Sequence, residues 1–246
     1  MNSCITLTFC ECSENHVGMS KNGIKSNNGY SSNDLDFVTH KLSNSHNIER
    51  YNLLDYLNKD DYNDLKPELL VIRNYLENNI LFQKLKELKW DRKYYDTRRQ
   101  KVLNKRARAN LCFSNYNQDP DYENKKGTII SYSNIEELEQ LKNNIENLIN
   151  DKNLECEGNL YDDTSKNGIG WHGDSERKKV IGIRLGESAE LKFRWYKNSE
   201  IKGETFSITL NDGDLYIMTE KTTGNDWKKK KIYTLRHSAI SNKYTK

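Results

Sequence analysis

A chain of 246 residues with 35% hydrophobic and 30% charged residues and only 2 prolines is long enough to bury a sizeable core and too apolar to be a disordered tail. No run of about 18 apolar residues occurs, and the opening MNSCITLTFC lacks the basic start and long apolar stretch of a secretory signal, so no membrane span and an intracellular, reducing location are expected. The net charge of +3 conceals two basic segments on an acidic remainder: Lys84 to Arg108 carries eleven Lys and Arg against Glu87, Asp91 and Asp96, and Lys221 to Lys231 carries five Lys against Asp226.

In chain order, Ile5 to Phe9 alternates like a short strand, and Ser20 to Asn33 is a loop rich in Gly, Ser and Asn. Cys10, Cys12 and His16 lack the paired spacing of a zinc site, and the odd total of 5 cysteines reads as free thiols. Leu35 to Leu57 has apolar residues at helical spacing and reads as one or two helices. After Pro67 comes a buried strand, Leu69 to Ile72, then a helix from Ile80 to Leu88. The basic stretch follows, with Tyr94 and Tyr95 interleaved, then extended segments at Ala109 to Phe113 and Gly127 to Tyr132. Asn134 is the expected N-cap of a helix carrying Ile135, Leu138, Leu141, Ile145 and Leu148 on one face. From there the period changes from 3.6 to 2. Val180 to Leu185, Leu191 to Trp195, Phe206 to Leu210, Leu215 to Met218 and Ile232 to Leu235 are short runs between turn residues, the pattern of a barrel or double-sheet jelly roll.

Within Gly168-Ile-Gly-Trp-His-Gly-Asp-Ser-Glu176, His172 and Asp174 stand two apart, on one face if the segment is a strand. An imidazole and a carboxylate so placed can hold one metal ion from one side. A second imidazole would complete the two-His, one-carboxylate triad that leaves positions open on iron(II). If the strand series supplies it, His237 does so by elimination, because His16, His40 and His46 all lie in the first 66 residues.

Asn159-Leu-Tyr161, Ile169-Gly-Trp-His-Gly-Asp174, Val180 to Gly186, Gly213-Asp-Leu-Tyr-Ile-Met218 and His237, in that order, resemble the AlkB-like iron(II)- and 2-oxoglutarate-dependent dioxygenases. The likeness covers about Leu69 to the C-terminus. It implies an α+β protein with a double-stranded β-helix (jelly-roll) core and N-terminal helices packed on it. Residues 1–66 would form a partly helical extension and residues 67–246 the dioxygenase-like domain. It implies Fe(II) on His172, Asp174 and His237, with 2-oxoglutarate as co-substrate hydrogen-bonded by Asn159 and Tyr161.

One departure concerns the carboxylates of 2-oxoglutarate, which AlkB-like proteins bind with arginines on a strand after the distal histidine. Only Ser-Ala-Ile-Ser-Asn-Lys-Tyr-Thr-Lys follows His237. The candidate cations here are Lys243 first, Arg184 second for its place in mid-strand, and Arg236 third, since as the neighbour of His237 it should face away. The expected substrate is a modified nucleic-acid base, held through the Lys84–Arg108 and Lys221–Lys231 segments. A protein side chain is the rival substrate, and a catalytically silent jelly roll that binds nucleic acid is the alternative of another class.

Overall fold

Alternation along one strand near the start of the chain divides the molecule. In the computed structural model, which describes residues 2–57, 66–77 and 80–245, β1 (Cys4–Cys10) sends Ile5, Leu7 and Phe9 into one core and Cys4, Thr6 and Cys10 to the opposite face. Next come β2 (Cys12–Glu14), β3 (Lys21–Gly23), α1 (Ser32–Leu42), β4 (Ile48–Asn52) and β5 (Glu68–Ile72). Then follow α2 (Ile80–Lys86), β6 (Lys93–Asp96), β7 (Lys101–Asn104), β8 (Ala109–Ser114), β9 (Ile129–Ser131) and α3 (Glu136–Ile149). The remainder is β10 (Glu155–Tyr161), β11 (Gly168–His172), β12 (Val180–Gly186), β13 (Ala189–Lys197), β14 (Glu200–Leu210), β15 (Leu215–Met218) and β16 (Thr234–Ile240).

Two sheets face each other. The larger has eight strands in the order β4-β5-β15-β12-β1-β10-β8-β9, the smaller four in the order β11-β16-β13-β14. This is the double-sheet, jelly-roll arrangement expected from the period-2 runs. The outer face of the larger sheet is covered by the helices: Leu35 and Val38 of α1, Leu81 and Leu85 of α2, and Leu138, Leu141 and Ile145 of α3 join Ile5, Leu7, Phe9, Ile181 and Ile183 in one core. Between the sheets, Val71, Val180, Phe193, Trp195, Leu210, Met218 and Leu235 fill one end of the sandwich with apolar side chains. The other end is polar yet buried, holding Glu157, Asn159, Asp174, Arg177, Arg184 and His237. Burial of so many polar groups at one end marks a site.

Several expectations need correction. The chain opens on strands, not helices, and residues 1–66 are no separate extension: β1 is a central strand, paired with β10 on one side and β12 on the other. Residues 58–65, which belong to that expected extension, lie outside the described residues. Leu35 to Leu57 gives one helix, α1, closed at its start by a capping box between Ser31 and Asp34, then β4 and a 3-10 turn over Leu53–Tyr56. β4, which lies between the two groups of apolar residues, pairs with β5 along its whole length, and that tertiary pairing separates them into different elements. Helix α3 is capped by the backbone at Ile135, not by Asn134, and ends on Asn150 in the left-handed conformation. The last strand begins at Thr234 and runs through His237 to Ile240. Among the described residues no helix is long and apolar enough to cross a membrane, and the five cysteines are all free and buried.

Candidate metal centre

His172 ends β11 directly opposite His237 on β16, after an irregularity in register between Ile169 and His172. The two rings meet edge-on, 4.3 Å between centroids at 64°. Asp174 lies beyond the strand, so strand alternation alone does not aim it at the histidines. A loop does: the Asp174 N–H donates to the Thr223 carbonyl at 3.0 Å. Gly173 permits this approach, since a Cβ there would sit 2.1 Å from the Gly224 carbonyl oxygen and 2.8 Å from Trp227 Cδ1.

The Asp174 Oδ1 is 3.7 Å from His172 Nε2 and 3.5 Å from His237 Nε2, and the three donor atoms lie within 4.8 Å of one another. His172 Nδ1 donates to the Gly170 carbonyl at 2.8 Å, which leaves Nε2 as the free donor atom toward the centre. Burial, reinforced by the neighbouring His237, pulls the His172 pKa down to about 3, so its imidazole is neutral and able to ligate. Burial opposes the charge of Asp174, but Arg177 and His237 outweigh it and hold the carboxyl below its ordinary range. Two imidazoles and one carboxylate oxygen converging from one side fit iron(II) with open positions.

Behind the carboxylate stands Arg177, 4% exposed. Its Nε is 3.7 Å from Asp174 Oδ2, so the arginine addresses the oxygen that the histidines do not. Its Nη2 donates to Glu157 and, at 2.6 Å, to Glu176, while Nη1 donates to Cys10 Sγ at 3.3 Å. Two carboxylates beside Asp174 neutralise this guanidinium. The sequence reading did not single out Arg177, Glu157 or Glu176; the only local signal was an arginine three residues after Asp174.

The expected co-substrate residues are placed as follows. Asn159 and Tyr161 are buried on the inner face of β10. Asn159 Oδ1 accepts from Arg108 Nε and from Asn110 Nδ2, and its Nδ2 donates to Glu157 at 3.1 Å. Burial, offset in part by Arg108 and Arg184, pushes the Tyr161 phenol up to about 12. Arg184 is 1% exposed on the inner face of β12, in register with Thr6 of β1, which is itself in register with Asn159. Lys243 is not brought to this wall. It is exposed in the 3-10 turn after β16, on an open cleft of about 500 Å³ with Thr164, Ser165 and Ser241. Arg236 points outward, 4.0 Å over the Tyr196 ring and 5.2 Å from that of Trp227.

The two basic segments differ. Strands β6 and β7 form a hairpin whose base is fastened beside the site: Arg92 grips Asp162, next to Tyr161, through two bonds of 2.7 and 2.9 Å, and the Gly168 N–H donates to the Ala107 carbonyl. Lys93, Arg98, Arg99, Lys101 and Arg106 are exposed along it with side chains in no ion pair among the described residues, although Asp96 accepts from the Arg98 and Arg99 backbone N–H groups. In the second segment Lys221 is buried and paired with Asp226 at 2.6 Å, so only Lys228 to Lys231 face solvent.

A model of the 2OG-Fe(II) oxygenase superfamily matches residues 68–225. The chain is also 44% identical over 250 residues to "Uncharacterized protein R156" of Acanthamoeba polyphaga mimivirus, a match spanning 98% of this chain and 97% of that protein. A silent binding module is inconsistent with this match and with an intact donor set. The chain belongs to the 2OG-Fe(II) oxygenase superfamily and is a 2-oxoglutarate-dependent dioxygenase whose family uses Fe(II) and 2-oxoglutarate.

Proposed function

We propose that this dioxygenase is AlkB-like and acts on a modified base in nucleic acid, hydroxylating it or, where the carbon attacked is an N-methyl, removing the methyl as formaldehyde. The observation that carries the reading is the hairpin of β6 and β7, an exposed row of unpaired Lys and Arg fastened at the rim of the metal centre. Phosphates need such cations, and a base extruded from its stack could enter between hairpin and centre.

Bound iron(II), with 2-oxoglutarate and dioxygen, supplies the oxidising power for C–H hydroxylation and yields succinate and carbon dioxide. The protein does the holding and aiming. His172, Asp174 and His237 would hold the ion, and Arg177 stands against the Asp174 oxygen that faces away from the histidines. Asn159 and Tyr161 line the co-substrate side, with Arg108 bonded to Asn159 at the foot of the hairpin. Tyr94, stacked on His16 at 3.7 Å, stiffens the hairpin, and the exposed arginines hold the backbone of the substrate.

An N-methylated oligonucleotide incubated with protein, iron(II), 2-oxoglutarate and air should release formaldehyde in step with succinate. Hydroxylated peptide from a peptide library, with the oligonucleotide untouched, would transfer the activity to protein side chains instead.

A further inference from the structure

A buried guanidinium needs an anion, and Arg184 has none among the described residues. It is 1% exposed, yet among the described residues no carboxylate lies within ion-pairing distance of it. Its Nη1 donates to Cys4 Sγ at 3.1 Å, and its Nε has no hydrogen-bond partner among the described residues. Burial raises the Cys4 thiol above its ordinary pKa, so the sulfur stays protonated and cannot neutralise the arginine. The other cations nearby are placed differently. Arg177 is held by Glu157 and Glu176, Arg108 is bonded to Asn159 at the rim, and Lys243 is exposed outside the sandwich.

What surrounds Arg184 is suited to a carboxylate. Thr6 of β1 sits beside it in register, 8% exposed, with a hydroxyl that makes no hydrogen bond among the described residues. The ring of Tyr216 lies across Gly182, one inward position along β12 from Arg184, and a Cβ at Gly182 would be 2.0 Å from that ring's ζ carbon. The glycine therefore keeps room for the phenol beside the arginine. A guanidinium with an idle N–H, a free hydroxyl and a neighbouring phenol make up a set of donors that meets no carboxylate among the described residues.

The strand that carries Thr6 comes from the wrong end of the chain for a protein whose last strand holds a metal ligand. β1 threads between β10 and β12, and its Cys4 packs with Tyr161 against Ile240, the final residue of β16. Strands β1 and β16 therefore meet beside Tyr161, and β1 carries both Thr6 and the Cys4 that Arg184 touches.

We propose that Arg184 and the Thr6 hydroxyl bind the distal carboxylate of 2-oxoglutarate, so that the N-terminal strand is part of the co-substrate site. The proposal rests on the iron and 2-oxoglutarate reading of the centre and names where the far end of the co-substrate lies.

The test compares two keto acids that share a chelating end. 2-Oxopentanoate has the same five carbons as 2-oxoglutarate but a methyl in place of the distal carboxylate. Each is titrated anaerobically into full-length protein loaded with iron(II), following the visible charge-transfer band of the keto-acid complex. In the wild type, 2-oxoglutarate should bind at least about tenfold tighter than 2-oxopentanoate. Arg184→Met and Thr6→Val should erase most of that difference by weakening 2-oxoglutarate alone, Thr6→Ser should restore it, and Lys243→Ala should leave both affinities unchanged. Thr6→Val removes one hydroxyl at nearly constant volume, so it answers the question even if Arg184→Met does not fold. Wild-type affinity for 2-oxoglutarate in Thr6→Val or in folded Arg184→Met, or equal loss of both keto acids in every variant, overturns the proposal. Absence of any band in the wild type with either acid overturns the reading beneath it.

Discussion

His172 and His237 are paired in register across β11 and β16, so their mutual distance is set by the sheet itself and not by a flexible loop. Only the third donor, Asp174, is placed by a loop. Replacing His237 with Ala should lower the affinity for cobalt(II) or iron(II) by more than the roughly 10–100-fold that loss of an outer partner costs, with the melting temperature of the metal-free protein little changed. Unaltered affinity in a metal titration would remove His237 from the site.

Arg177 sets the direction of Asp174, and its loss should be felt twice. Arg177→Met strands Glu157 as a buried carboxylate and Glu176 as a half-buried one, and breaking such a network typically costs about 3–5 kcal/mol. Metal affinity should also fall about 10–100-fold, with partial recovery in Arg177→Lys. Denaturant unfolding and metal titration on the same samples separate the two effects, and a variant with normal metal affinity would confine Arg177 to structure.

Gly173→Ala places a methyl where the Gly224 carbonyl now sits, which forces the Asp174 loop away from the histidines. Metal binding should weaken while the sheets remain intact by circular dichroism. A variant that binds metal normally would show that the loop can move aside.

Acid should destabilise the metal-free protein in a defined window. Burial, with Lys105 and Arg108 adding repulsion, lowers the His16 pKa from 6.5 to about 4. The unfolded chain therefore takes up a proton near 6.5 that the folded chain refuses until about 4, so the stability tied to a neutral His16 is complete above 6.5 and is lost as pH falls toward 4. His172, lowered to about 3 in the folded chain, extends the same loss further into acid. Urea unfolding at pH 7, 5.5 and 4.5 should show this decline, and His16→Asn should flatten its upper part; an unchanged slope would mean that His16 titrates normally.

Deleting residues 2–11 should abolish folding, because β10 and β12 both depend on β1 for hydrogen bonds and Ile5, Leu7 and Phe9 are fully buried. Losing even one such side chain to alanine costs about 2–5 kcal/mol, a large part of a domain's stability. A soluble, cooperatively folding truncation would return these residues to the status of an appendage.

Arg98→Ala with Arg99→Ala should weaken binding of a single-stranded oligonucleotide and reduce the slope of log affinity against log salt by about 1.4, near 0.7 per lost phosphate contact. An unchanged slope would take the hairpin out of the nucleic-acid path.

The sequence alone carried the parts of this protein that repeat locally. Period-2 runs marked β12, β13 and β15 because a half-buried strand must alternate, and the apolar face of α3 marked the clearest helix. The spacing of His172 and Asp174, with one remaining downstream histidine, was enough to nominate three ligands that the fold does bring together. Tertiary structure decided what local pattern cannot encode. Nothing in Cys4 to Cys10 says that this strand lies between β10 and β12, because strand order depends on pairing between residues more than a hundred positions apart. Nothing near Arg184 says that its charge is left without a carboxylate, since neutralisation of a buried cation is settled by every wall of a cavity at once. Lys243, first among the candidate cations, follows β16 on an exposed turn, whereas Arg184 on a central strand is the one that the fold encloses.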